Sequence, residues 1–130
     1  MKKAVIFDFY GVLVINDSIN SELVSVIEEI KKNGWPVFVL SNADTALAAQ
    51  HSTEYPEVLQ LFDKLYYSGD TGFLKPDLAA YKLILEENNL QPAEVFYFDD
   101  SAGHVASAQS LGINSYLFKD ARMVRDTLHL

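Results

Sequence analysis

The feature that most constrains the fold of this 130-residue chain is a repeated change of hydrophobic period. Short runs rich in β-branched and aromatic residues alternate with longer stretches in which apolar residues recur every three or four positions. The short runs are typical of strands buried on both faces of a parallel sheet, and the longer stretches are typical of amphipathic helices. The strand-like runs lie at residues 4–7, 37–40, 95–98 and 115–118.

The helix-like stretches predict crossover connections between these strands. The first spans residues 19–30, with Asp17 or Ser18 as its expected N-cap and Asn33-Gly34 as its stop. Strands and helices that alternate in this way predict an α/β, Rossmann-like, doubly wound parallel sheet, formed by a single domain over residues 1–130. Further helical patterns lie at residues 44–62, 78–85 and 105–111, and a fifth strand is predicted at residues 64–67.

Composition and charge narrow the range of functions. The chain has 18 acidic and 10 basic residues, and its net charge of −8 disfavours nucleic acids and anionic membranes as partners. It has no cysteine, so disulfides and thiolate chemistry are excluded. No apolar stretch approaches the roughly 20 residues of a membrane span. We therefore expect a soluble, cytoplasmic protein that acts on a small anionic substrate, and no pattern predicts its oligomeric state.

Polar residues follow three of the predicted strands. Asp8 follows the first strand, Ser41 follows the second, and Asp99-Asp100 follow the strand at residues 95–98. Ligands of doubly wound sheets bind at the carboxyl ends of the strands, so these side chains are expected to converge. Each one alone is equally well explained as a helix cap, but three together favour a site.

An aspartate at such a position can attack phosphorus or carbon and form a covalent intermediate that water later breaks. Attack on a phosphate ester brings two anions together, and a divalent cation such as Mg²⁺ offsets their repulsion. Asp8 and the Asp99-Asp100 pair offer carboxylate ligands for this ion, while Lys75 and Ser41 offer contacts to a phosphate. The sequence thus predicts a phosphate and metal site.

The chain resembles the haloacid dehalogenase (HAD)-like hydrolase superfamily over nearly its whole length. Its four motifs occur in order and in suitable contexts, and the ordered set is far more specific than any one motif. The resemblance implies a Rossmann-like core and hydrolase activity. The motifs are FDFYGVL at residues 7–13, VLSNA at 39–43, LKPD at 74–77 and FDDSAGHVASAQSLGI at 98–113.

The resemblance also implies roles for the residues in these motifs. Asp8 would be the nucleophile, Lys75 would orient Asp8 and the phosphate, and Ser41 with Asn42 would bind the transferred group. Such an enzyme forms an aspartyl-phosphate on the nucleophile.

A Mg²⁺ site is implied in the same way. Its ligands would be Asp8, the backbone carbonyl of Tyr10 and the carboxylate of Asp100, with Asp99 acting through a water molecule. The backbone ligand places no demand on the side chain at position 10.

The chain departs from family phosphatases at Tyr10, where they usually carry a second aspartate that protonates the leaving group and activates water. A phenol with an ordinary pKa near ~10 can donate a proton but is seldom ionised to accept one. Family dehalogenases do carry tyrosine there, because a halide leaves without a proton. Their metal-free sites replace the acidic pair, however, whereas Asp99-Asp100 are kept here.

The short interval between Asp8 and Ser41 leaves room for one crossover helix and for no cap domain. We therefore expect a capless core that is a phosphatase, weakened by the loss of the acid and base at position 10. Two alternatives stay open: a dehalogenase-type carbon–halogen hydrolase, and a catalytically silent domain that binds phosphate and metal.

The remaining polar residues are expected to be structural. For His104 a solvent-facing or helix-end role is favoured over support of the acidic pair, and His51 has no companion at metal-ligand spacing. Asp17 is a candidate replacement for the missing acid, although N-capping is the preferred role.

Overall fold

The structure is a computed structural model that describes residues 3–130. Five parallel strands form one sheet, and helices cover both of its faces. None of the helices in residues 3–130 is long and apolar enough to cross a bilayer. The strands are β1 (Ala4–Phe7), β2 (Val14–Ile15), β3 (Ser18–Ile19), β4 (Val37–Ser41), β5 (Lys64–Tyr67), β6 (Val95–Asp99) and β7 (Asn114–Leu117), and the helices are α1 (Ser21–Lys32), α2 (Thr45–Glu54), α3 (Pro56–Leu59), α4 (Ser68–Thr71), α5 (Leu78–Glu87), α6 (Ala102–Ser110) and α7 (Ala121–Leu128).

The strand order β5-β4-β1-β6-β7 places β1 at the centre, paired in parallel with β4 and with β6. All four residues of β1 are fully buried, because alternate side chains enter the two cores on opposite faces. Val5 and Phe7 join the core on one face, and Ala4 and Ile6 join the core on the other. The α/β, Rossmann-like prediction is confirmed, and between β1 and β4 the chain forms a small hairpin and one helix without a cap domain.

The hairpin of β2 and β3 corrects the expected start of the first helix. Asn16 and Asp17 have φ values of 50° and 59°, a left-handed conformation that Asn and Asp tolerate in tight hairpin turns. Asp17 and Ser18 therefore belong to the hairpin, and the N-cap of α1 is Asn20, whose side chain accepts a hydrogen bond from the Leu23 amide at 3.3 Å.

The carboxyl end of the chain differs from the prediction in two details. The last strand begins one residue earlier than the apolar run indicated. A further helix, α7, follows it and packs on the face that also contains α1. There Arg125 makes a bidentate ion pair with Glu29 of α1, with one N–O distance of 2.8 Å. The remaining strands lie where their patterns placed them, and the irregular helical region consists of α2 and α3.

Candidate active site and metal centre

The carboxyl ends of β1, β4 and β6 meet at one edge of the sheet because these three strands are neighbours. Asp8 follows β1, Ser41 is the last residue of β4, and Asp99 is the last residue of β6. Lys75 reaches the same place from the segment between α4 and α5. The convergence expected from the strand ends is thus present in the structure.

Lys75 is the centre of this cluster. Its ammonium group donates hydrogen bonds to Asp8 Oδ1, to Asp99 Oδ2 and to the carbonyl of Leu40, each at 2.9 Å. An ammonium has three protons, so all of its donors are used. The side chain is 1% exposed, and a buried charge of this kind is stable only when it is fully paired and hydrogen-bonded.

Asp99 is fully buried and is held from several sides. Its Oδ2 accepts hydrogen bonds from Lys75 and from the hydroxyl of Tyr97, and it lies 3.1 Å from Nδ1 of His104. Its Oδ1 accepts the backbone N–H of Ser101 at 2.9 Å. Burial by itself raises the pKa of Asp99, but the Lys75 ammonium and the hydrogen bonds outweigh it and lower the pKa to about 2.

Asp8 has the opposite electrostatic character. Burial raises its pKa to about 7, the Lys75 ammonium opposes the rise, and the negative charge of Asp99 adds to it. One ammonium therefore neutralises Asp99 in preference to Asp8. A second cation near Asp8 would favour its ionised form.

Asp100 completes the acidic group from an exposed position. One oxygen from each of Asp8, Asp99 and Asp100 lies within 4.8 Å of the others. Gly11 makes this possible, since a Cβ at this residue would lie 2.0 Å from Asp100 Oδ2 and the glycine has a left-handed φ of 83°. The glycine of the first motif thus leaves space for the third carboxylate.

Ser41 and Asn42 have different environments. Ser41 is buried at the end of β4, where it pairs with Tyr67 of β5. The side chain of Asn42 accepts a hydrogen bond from the Lys75 backbone N–H at 2.8 Å and donates one to the Lys75 carbonyl at 2.9 Å. Asn42 therefore fixes the segment that carries Lys75, and the implied contact of both residues with a transferred group stays a prediction.

Tyr10 is 42% exposed, and its hydroxyl lies 2.9 Å from Nε2 of His51 in α2. His51 is fully buried and stacks on Phe9 with ring centroids 4.0 Å apart. Burial lowers the pKa of His51, and burial together with the nearby charges of Glu54 and Asp17 raises the pKa of Tyr10. Both groups are therefore held in their neutral forms.

The sequence missed two of these interactions. His51 has a partner 41 positions away, which no local spacing indicates, and the apolar run around Tyr97 predicts only a strand residue, whereas its hydroxyl binds Asp99. The alternation of side chains in β6 gives a weak signal, because Tyr97 and Asp99 are two residues apart and lie on the same face. For His104 the sequence favours a solvent-facing or helix-end role over support of the acidic pair, and the structure shows the less favoured role, with Nδ1 of His104 lying 3.1 Å from Oδ2 of Asp99.

The fold and the site define an α/β protein with a lysine-bridged acidic cluster at the carboxyl edge of its parallel sheet. The chain belongs to the haloacid dehalogenase-like hydrolase family, whose profile matches residues 4–112.

Individual relatives agree with this assignment. Over 100 residues the chain is 30% identical to phosphatase MT3486 of Mycobacterium tuberculosis, which covers 77% of this chain and 46% of the relative. An uncharacterised protein of Corynebacterium glutamicum superposes with a TM-score of 0.81 at 25% identity, covering 99% of this chain and 94% of that one. A HAD family enzyme of Bacteroides thetaiotaomicron in complex with magnesium and inorganic phosphate gives a TM-score of 0.69 at 26% identity, covering 78% of this chain and 54% of that one. The chain spans about half or less of the length of the curated relatives it matches.

Proposed function

We propose that the protein is a Mg²⁺-dependent phosphomonoester hydrolase in which Asp8 is the nucleophile. The observation that carries the proposal is the ammonium of Lys75, which bridges Asp8 and Asp99 at 2.9 Å beside a third carboxylate. The phosphatase of Mycobacterium tuberculosis and the magnesium and phosphate complex from Bacteroides thetaiotaomicron support it. A small phosphorylated substrate and a cytoplasmic location are parts of the same proposal.

The residues present fit a magnesium ion. Mg²⁺ prefers a few carboxylate or carbonyl oxygens and keeps several water ligands. The carbonyl of Tyr10 accepts no hydrogen bond within the described residues, whereas the carbonyl of Phe9 accepts three. Asp8, Asp100 and the Tyr10 carbonyl would hold the ion, while both oxygens of Asp99 already accept hydrogen bonds and leave it an indirect role.

The bound ion would neutralise part of the negative charge of the phosphate and of Asp8. Lys75 holds Asp8 Oδ1 and thereby orients the carboxylate for attack. A bond forms between an Asp8 oxygen and phosphorus while the bond from phosphorus to the leaving oxygen breaks, which gives an aspartyl-phosphate. Water then attacks this phosphorus and gives up a proton to solvent, while the bond between phosphorus and the Asp8 oxygen breaks; inorganic phosphate is released and the carboxylate is restored.

Proton transfer is the weak step of this mechanism. A positioned general acid and base is typically worth about 10²–10⁴-fold in rate. Tyr10 stands where that group is expected, and its phenol is protonated and bonded to His51. We therefore expect slow turnover that favours esters with good leaving groups.

Hydrolysis of p-nitrophenyl phosphate and of a panel of phosphorylated metabolites, measured with Mg²⁺ and with EDTA, tests the proposal. Phosphate release that requires Mg²⁺ and is lost in both Asp8→Asn and Asp100→Asn is the expected result. Glu86→Gln, an exposed substitution of the same chemical kind on α5, is the control. Halide release from a 2-haloacid in EDTA would instead establish the dehalogenase, and binding of Mg²⁺ and phosphate without turnover would establish the silent domain.

A further inference from the structure

The contact between Tyr10 and His51 joins the loop after β1 to α2. Residue 10 has two functional parts: a phenol that bonds to Nε2 of His51 at 2.9 Å, and a carbonyl without a hydrogen bond in the described residues. His51 is itself fixed, because it is fully buried and stacked on the ring of Phe9. The phenol is thus tied to a rigid point outside the loop.

The carbonyl of Tyr10 belongs to the peptide that leads into Gly11. The N–H of this peptide donates to the carbonyl of Val14 at 2.8 Å, and Gly11 itself lies against the carboxylate of Asp100. Atoms that hold a metal must be fixed within a few tenths of an ångström, and groups that bond to the ligands provide this. For a backbone ligand, a contact that holds the side chain of the same residue limits how far the carbonyl can turn.

We infer that His51 is a positioning residue for the cation site, which acts by holding the Tyr10 phenol and so fixing the direction of the Tyr10 carbonyl. The inference rests on the proposed function, since it assumes a metal bound by Asp8 and Asp100. It gives the tyrosine at position 10 a role that is independent of proton transfer.

Calorimetric titration with MgCl₂ alone tests the inference, because it needs no turnover. Tyr10→Phe and His51→Phe each remove the hydrogen bond and keep an aromatic ring. We expect each to weaken Mg²⁺ binding about ten-fold, the lower end of the effect of groups that orient metal ligands. The double variant should be no weaker than either single variant, because both remove the same contact.

Two further variants separate positioning from general packing. Tyr67→Phe alters a buried tyrosine whose ring centroid is 5.9 Å from that of His51 and whose hydroxyl has no partner in the described residues, so Mg²⁺ binding should not change. His51→Gln places a side-chain amide, which can donate or accept a hydrogen bond, near the position of Nε2, and it should restore most of the Mg²⁺ affinity that His51→Phe loses. A variant that only loosens the core would lower the melting temperature without these differences in Mg²⁺ affinity.

Wild-type Mg²⁺ affinity in folded Tyr10→Phe and His51→Phe proteins would overturn the inference and leave the proposed function intact. Additive losses in the double variant would also overturn it. Absence of Mg²⁺ binding by the wild-type protein would overturn the metal site itself and the inference with it. Should His51→Phe fail to fold, Tyr10→Phe decides alone, because it removes only one hydroxyl from a partly exposed ring.

Discussion

Replacing Asp8 with asparagine should stabilise the metal-free protein at high pH. Its carboxyl is 13% exposed in the folded protein, and its pKa rises from the ordinary value of 3.8 to about 7. A folded-state pKa above the unfolded one gives stability that is complete below the unfolded pKa and is lost as the pH rises through the folded pKa. Ionised Asp8 is therefore a source of instability at pH 8.

The size of the effect follows from the shift. About three pKa units correspond to at most about 4 kcal/mol at high pH, at about 1.4 kcal/mol per unit. Between about pH 4.5 and about pH 8 the ionisation of Asp8 lowers the free energy of unfolding by about 3 kcal/mol. Asp99 has a folded-state pKa of about 2, so its ionised form stabilises the fold at every pH above its unfolded-state pKa. This contribution is lost only as the pH falls towards 2, and it therefore changes little between pH 4.5 and pH 8.

Urea unfolding of the wild-type protein and of Asp8→Asn in EDTA, at several pH values from 4.5 to 8, measures the difference. We expect the two curves of unfolding free energy against pH to diverge by about 3 kcal/mol, with the variant more stable at the alkaline end. Glu86→Gln, the exposed control, should follow the wild-type curve. A wild-type-to-variant difference that stays constant with pH would refute the assignment of a raised pKa to Asp8.

Two further predictions concern the loop after β1. Gly11→Ala should weaken Mg²⁺ binding in calorimetry, because its Cβ would displace the carboxylate of Asp100. Gly72→Ala is the control: Gly72 has a similar φ of 80° and open space around it, so the variant should cost about 1–2 kcal/mol of backbone strain without changing the Mg²⁺ affinity. Equal Mg²⁺ affinities in the two variants would contradict this prediction. Tyr10→Asp should hydrolyse an alkyl phosphate up to about 10²-fold faster than Tyr10→Asn. The asparagine variant is the control, because it also loses the hydrogen bond to His51 but cannot transfer a proton. Equal rates of the two variants at saturating Mg²⁺ would show that proton transfer does not limit turnover.

The fold could be predicted from the sequence because each strand of the main sheet is a short, almost uniformly apolar run. Burial on both faces demands such a run, and only a few connections between parallel strands are possible. The hairpin at residues 14–19 was missed although Asn16-Asp17 carries a signal for it. Its strands have two residues each, too few for alternation to be recognised.

The candidate site could be predicted only in part. Asp8, Ser41 and Asp99 stand at strand ends, so topology alone brings them together. The contact of His51 with Tyr10 depends on how α2 lies over the loop after β1, which is set by tertiary packing of rings such as Phe9 and Tyr55. The family resemblance implies that Asn42 contacts the transferred group, whereas its bonds to the Lys75 backbone join two segments 33 positions apart, a separation at which no sequence pattern predicts contact.

The charges at the site favour phosphate chemistry over metal-free dehalogenation. When Asp8, Asp99 and Asp100 are all ionised, the ammonium of Lys75 offsets one of three negative charges. An anionic substrate would be repelled by the remaining two, and the raised pKa of Asp8 expresses the same repulsion together with its burial. A divalent cation would offset the repulsion, because it balances two negative charges and favours the ionised form of Asp8. A dehalogenase would gain nothing from Asp100 at this place, whereas a phosphatase needs the ion that Asp100 can hold.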